Sequence, residues 1–193
     1  MKQPISNAYL KELLDCLADA VCDINGRQID YTSFLQHLVD CFYALHGATQ
    51  KLFFIGNGGS AGISMHMNTD FLKNGRLSTH SMHDPATLTC LANDYGYDEV
   101  FSRQLAMAAG EGDVLVAISS SGQSENILRA AHLMNDLGGT VMTFTGFAPD
   151  NPLRQLGGFN FYVPSNKYGI VESIHQLVLQ QAVDELMERY MNL

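Results

Sequence analysis

Two short loops constrain this chain more than anything else in it: Gly56-Asn57-Gly58-Gly59-Ser60-Ala61 and Ser119-Ser120-Ser121-Gly122-Gln123-Ser124. Each follows a short apolar run, residues 51–55 in the first case and 113–118 in the second, and each precedes a segment with helical periodicity. A strand that stops at small residues and restarts as a helix leaves free backbone N–H groups and the positive end of a helix dipole at one point. Such a point is an anion site, and phosphate is its usual occupant. Two of them in one chain suggest a phosphorylated small molecule, with one loop for the phosphate and one for the body of the ligand.

The segments around the loops read as alternating helices and strands. Apolar residues at three- and four-residue spacing predict helices over 5–21 and 33–46, separated by a polar turn at 23–30. From Lys51 the pattern predicts a strand at 52–55, a helix at 60–72, and strands near 78–82 and at 114–119. A helix at 124–137, strands at 140–145 and 159–163, and a long helix from about 169 to 191 complete the order. Gly138-Gly139 and Gly146 punctuate these elements. Alternation of this kind means βαβ units, hence a parallel sheet with helices on both faces. In such sheets ligands sit at the carboxyl ends of the strands, where both loops lie.

At 193 residues the chain is expected to form one domain with a full core. A net charge of −9 argues against nucleic acid as a partner, because neutralising a phosphate backbone takes clustered Lys and Arg. It does not argue against one phosphosugar held by a local nest of N–H groups. Cys16, Cys22, Cys41 and Cys90 form no C-x-x-C pair, and neither a secretory signal nor a membrane-length apolar run is visible. The expectation is reduced thiols in a cytoplasmic protein with no membrane partner. The first loop also fits a dinucleotide fingerprint, Gly56-x-Gly58-x-x-Ala61, with Asp84 where a ribose-binding acid would stand. That fingerprint often opens its domain, whereas two helical segments precede this one, and it has no use for the second, serine-rich loop.

Three stretches carry a family resemblance: Ile55-Gly-Asn-Gly-Gly-Ser-Ala61, Leu91-Ala-Asn-Asp-Tyr-Gly-Tyr97 with Val100-Phe-Ser-Arg103, and Gly112-Asp-Val-Leu-Val-Ala-Ile-Ser-Ser-Ser-Gly122. They resemble the sugar isomerase (SIS) domain, and specifically its sedoheptulose 7-phosphate isomerase, or phosphoheptose isomerase, branch. The resemblance extends over almost the whole chain and is most specific at 93–97. It implies an α/β, three-layer, flavodoxin-like fold with a five-stranded parallel sheet and two extra N-terminal helices. By that reading residues 1–193 are a single SIS domain, with 1–48 a helical pair used in oligomer packing and 49–193 the α/β core. It also implies a homotetramer with shared active sites. The implied reaction moves a proton between C1 and C2, turning sedoheptulose 7-phosphate into glycero-manno-heptose 7-phosphate in nucleotide-activated heptose synthesis. A second reading is a non-catalytic SIS protein that binds phosphosugars or serves as an adaptor for replication initiation.

The resemblance assigns residues to roles. Asn57, Gly58, Gly59 and Ser60 would hold sugar hydroxyls, and Asn93 and Asp94 would reach the ligand from a neighbouring subunit. Ser119, Ser120, Ser121 and Ser124 would bind the phosphate, which suits neutral donors at a helix N-terminus. His66 and Asp70, four apart, share one helix face, and Glu172, Gln176 and Gln180 form an i, i+4, i+8 row on the last helix. His66, Asp70, Glu172 and Gln180 fall on the family's zinc ligands His, Glu, Gln and His, so three of the four positions differ. The set keeps one His, two carboxylates and an amide, an oxygen-rich group suited to a harder divalent cation. Asp70 would be the base and, with Glu172, would also touch substrate, while Gln180 stands where the family has its acid. His37, His80 and His83 are candidate replacements for that acid, and His175 lies beside the row.

Overall fold

The computed structural model describes residues 5–191. In chain order they form α1 (Ile5–Ala18), β1 (Val21–Ile24), β2 (Arg27–Ile29), α2 (Tyr31–Ala44), β3 (Leu52–Gly56) and α3 (Gly59–Lys73). Then come β4 (Thr79–Ser81), α4 (Pro85–Tyr95), α5 (Val100–Ala108), β5 (Val114–Ser119) and α6 (Glu125–Asp136). The chain closes with β6 (Thr140–Thr145), β7 (Phe159–Tyr162) and α7 (Tyr168–Met191). One sheet runs β2-β1-β7-β6-β5-β3-β4.

The five strands from β3 to β7 are mutually parallel, in the flavodoxin-like order expected. The sheet nevertheless has seven strands rather than five. Residues 21–29, read as the end of a helix and a polar turn, form a hairpin that pairs antiparallel with β7. Its turn is Asn25-Gly26, both at positive φ (51° and 76°), the pair that a two-residue hairpin turn favours. The signal was present in the sequence but outweighed by apolar spacing that ran on past Ala18. A buried polar chain then holds the hairpin: Asn160 Nδ2 donates to Asp23 Oδ1 at 2.8 Å, and Thr143 Oγ1 donates to Asn160 Oδ1.

The central strands are buried on both faces, so their residues read as continuous apolar runs. Leu52, Phe54, Val114, Val116 and Ile118 join one core with Phe34, Leu38 and Phe42 of α2, Phe71 of α3, and Ile174 and Val178 of α7. Phe53, Ile55, Leu115 and Ala117 join the other with Leu91 of α4, Phe101 of α5, and Ile127 and Ala130 of α6. Phe42 is fully buried, and truncating such a residue to Ala typically costs about 3–5 kcal/mol. The second helix also covers the sheet, since five of its residues belong to the chain's own core. Among the described residues, α1 keeps apolar surface in the open at Tyr9, Leu10 and Leu14, and α3 at Met65 and Leu72. Helices α4 and α5 went unread in the sequence; Asp84 caps α4 by accepting from Thr87 N at 2.8 Å, with Pro85 in its first turn. Capping, rather than ribose binding, accounts for Asp84.

Candidate active site

Strands β3 and β5 are neighbours, but their following crossovers leave toward opposite edges of the sheet. That divergence opens a crevice at their carboxyl ends. The crevice is a cavity of about 420 Å³, a size suited to a small ligand. Its wall is built from Asn57–Ser60 of the first loop, Ser119, Ser120, Ser121 and Ser124 of the second, and Tyr168 and Glu172 of α7. Nine of the residues assigned from the sequence thus meet in one place.

The two loops are tied to each other. Asn57 and Asn126, the latter in the first turn of α6, exchange reciprocal amide hydrogen bonds of 2.9 and 3.0 Å. The Tyr97 hydroxyl donates to Asn57 Oδ1 at 2.9 Å. Beneath the first loop, His83 Nε2 lies 2.9 Å from the Gly56 carbonyl and Nδ1 lies 2.8 Å from Ser81 Oγ. A carbonyl only accepts, so Nε2 carries the proton and Nδ1 accepts from the serine. Burial lowers the His83 pKa, which keeps the ring neutral. His83 is thus a strut under the loop, not a proton donor facing the cavity.

In the second loop Ser119 Oγ accepts from Gly122 N and Ser121 Oγ from Gln123 N, which leaves the hydroxyl protons of both serines to donate. Ser120 is 4% exposed and its Oγ has no hydrogen-bond partner, an orphan that a bound anion would satisfy. Ser124 is the N-cap of α6 yet makes no side-chain capping bond. Gly122 sits at φ +63°, and a Cβ there would lie 2.0 Å from Asn151 Oδ1. Asn151 is itself buried and held by the Gly146 and Ala148 carbonyls, so it buttresses the turn from behind.

Glu172 projects from α7 over the first turn of α3, where a Cβ on Gly59 would lie 2.3 Å from its Oε2. Burial raises the pKa of this carboxyl above its ordinary value.

The SIS domain family model matches residues 29–146. The chain is 31% identical over 190 residues to the phosphoheptose isomerase of Crocosphaera subtropica, covering 93% of this chain and 91% of that one. It belongs to the SIS-domain phosphoheptose isomerase family. A second relative, the phosphoheptose isomerase of Akkermansia muciniphila, is 35% identical over 148 residues, 74% of this chain and 77% of its own. Among solved structures, a phosphoheptose isomerase from Francisella tularensis superposes with a TM-score of 0.81 at 25% identity, over 95% of this chain and 96% of that one.

Five residues assigned from the family resemblance fall outside the cavity wall: His66, Asp70, Asn93, Asp94 and Gln180. His66 and Asp70 face each other at 3.3 Å on α3. Gln180 Nε2 donates along its own helix to Asp184 Oδ1 at 3.2 Å, while Gln176 donates to Met67 Sδ. Asn93 and Asp94 are exposed on α4, with Asn93 Nδ2 donating to Asp94 Oδ1 at 3.0 Å, and it is Tyr97 from the same motif that reaches the loop. Among the described residues no three His, Cys, Asp or Glu side chains stand close enough to share a metal ion. Within one chain the His66–Asp70 pair gains no third such ligand, and the Gln180 amide is engaged with Asp184 on its own helix.

The remaining histidines are engaged elsewhere. His175 is fully buried, its Nε2 donating to the Thr145 carbonyl at 3.0 Å, and its rings pack edge-on to Phe144 and Phe161. His80 stacks on Phe53, and His37 lies 2.7 Å from the Ser33 carbonyl. Tyr168 and Asn126 were not singled out in the sequence. Asn126 had one legible signal, its place in the first turn after a phosphate loop; Tyr168 had none.

Proposed function

We propose that this phosphoheptose isomerase family member is an aldose–ketose isomerase acting on sedoheptulose 7-phosphate to give D-glycero-D-manno-heptose 7-phosphate. The observation that carries this reading is the group of four serines, Ser119, Ser120, Ser121 and Ser124, in the cavity wall at the N-terminus of α6, where the buried Ser120 hydroxyl has no hydrogen-bond partner. Neutral donors at a helix N-terminus hold a phosphate dianion without Lys or Arg. The phosphate then fixes one end of the sugar and places its carbonyl end toward Gly59 and Glu172, about the first turn of α3. There the helix dipole and free N–H groups stabilise negative charge developing on the carbonyl oxygen. Tyr168, packed edge-on to Phe147 at 4.8 Å, lines the same cavity.

The working form is a homotetramer with shared sites. Exposed Leu10 and Leu14 of α1, Met65 and Leu72 of α3 and Leu177 of α7 support self-association, since buried partners are the usual fate of such surface. Asn93 and Asp94, exposed here, are then free to reach a neighbour's cavity. The protein works in the cytoplasm, where phosphosugars are made; none of its described helices is long and apolar enough to cross a membrane.

The test is incubation with sedoheptulose 7-phosphate, following the aldehyde proton of the product by NMR, with light scattering on the same sample. Aldose formation by an oligomer is expected. No turnover, with or without added divalent metals, overturns the reaction; a monomer at micromolar concentration overturns the shared site.

A further inference from the structure

The isomerisation needs a base at the carbon beside the carbonyl, and the cavity wall offers one carboxyl. We propose that Glu172, rather than Asp70, is the catalytic base. This rests on the isomerase reading above.

The placement argues for it in two ways. Glu172 is the only Asp or Glu among the residues of the cavity wall, whereas Asp70 is turned toward His66 outside it. Its carboxylate also lies directly over Gly59, in the first turn of α3, while the serines belong to the other loop of the wall. A phosphosugar anchored at the serines presents its other end, with C1 and C2, to this carboxylate. Base and oxyanion-stabilising helix terminus then flank the same two carbons.

The step balances without any co-reactant. The Glu172 carboxylate takes one proton from C1 of the ketose; the C1–H electron pair becomes the C1=C2 bond, and the C2=O π electrons move onto O2. The proton on O1 passes to O2. Glu172, now protonated, returns its proton to C2, the C1=C2 pair forms the new C2–H bond, and O1 closes the C1 aldehyde. One carboxyl thus takes the proton and gives it back, which leaves it able to turn over again.

The experiment follows exchange of the C1 protons of sedoheptulose 7-phosphate in deuterated water by NMR, alongside calorimetric binding of the same sugar. Wild type, Glu172→Gln, Glu172→Asp and Asp70→Asn are compared, each with and without added divalent metal. Glu172→Gln is expected to bind the sugar phosphate within about threefold of wild type while exchange and turnover fall roughly 10²–10⁴-fold, the usual worth of a positioned base. Glu172→Asp, with its carboxylate set back, recovers part of the exchange. Asp70→Asn is expected to exchange at least about ten times faster than Glu172→Gln. Exchange by Glu172→Gln within tenfold of wild type, or the reverse order of the two variants, overturns the assignment and leaves the isomerase reading standing. Loss of binding in step with exchange makes Glu172 a ligand contact and also overturns it. No exchange and no aldose from wild type removes the isomerase reading, and the base with it.

Discussion

Gly59 and Glu172 form a contact that leaves no room for a side chain: a Cβ on Gly59 would lie 2.3 Å from the carboxylate oxygen. Gly59 opens α3, and Ala there gains intrinsic helix propensity of about 1 kcal/mol. The clash is with the far end of a flexible side chain, so it is relieved by moving the carboxylate, not the fold. Gly59→Ala is expected to keep its melting temperature within a few degrees and lose about a hundredfold in kcat, because a shift near 1 Å at a reacting group costs that much. Melting and steady-state kinetics on one preparation check it; unchanged kcat sinks the idea that the carboxylate must sit there.

Gly122 shows the opposite behaviour. Its φ of +63° strains any L side chain by about 1–2 kcal/mol. A Cβ would also meet the buried, hydrogen-bonded Asn151, which cannot swing away cheaply. Gly122→Ala is expected to lower stability and to weaken phosphosugar binding at least about tenfold, since the turn that aims the serines is displaced. Chemical denaturation and calorimetry report the two effects separately. Wild-type affinity in a destabilised variant would show that the turn does not position the serines.

Ser120 separates binding from folding. Its hydroxyl is buried without a partner, so Ser120→Ala removes an unsatisfied group and leaves stability unchanged or slightly higher. A hydrogen bond to a charged group is worth about 1.5–3 kcal/mol, so affinity for the phosphosugar falls roughly ten- to hundredfold. Affinity for the unphosphorylated sugar is expected to stay as it was. An equal loss for both ligands would place the phosphate elsewhere.

His175 sets an acid limit on the fold. Burial pushes its pKa down to about 4, against about 6.5 in an unfolded chain. Between those values the unfolded chain takes up a proton that the folded one refuses, so stability falls as pH drops from about 6.5 to 4 and is flat above. The loss from this residue is on the order of 3 kcal/mol. His175→Gln keeps a donor for the Thr145 carbonyl but does not titrate. It is expected to be less stable at pH 7 and to lose most of the acid slope, read as urea midpoints from pH 4 to 7. An unaltered slope would assign the acid sensitivity to other groups.

Much of the frame was legible locally. The strands at 114–119 and 140–145 fall where their β-branched and apolar runs place them, and the helices after both loops begin within a residue of expectation. The hairpin at 21–29 was lost because its strands are short and half-buried. Their partner, β7, lies more than a hundred residues away, so the pairing that stabilises them is invisible in a local window.

What the sequence by itself determined is the pair of anion loops and the parallel core that brings them together. Backbone conformation, glycine placement and free N–H groups are local properties, and they follow from residue type. What only the tertiary structure decided is which acid faces the ligand. Helical spacing puts His66 and Asp70 on one face of α3, and Glu172 and Gln180 on one face of α7. It does not say how the two helices are rotated against each other. That rotation is set by packing, with Met67 and Phe71 on one side and Ile174 and Val178 on the other buried in the same core. It leaves Glu172 in the cavity wall and the His66–Asp70 pair outside it, because burying apolar area outweighs the weak preferences of exposed polar groups.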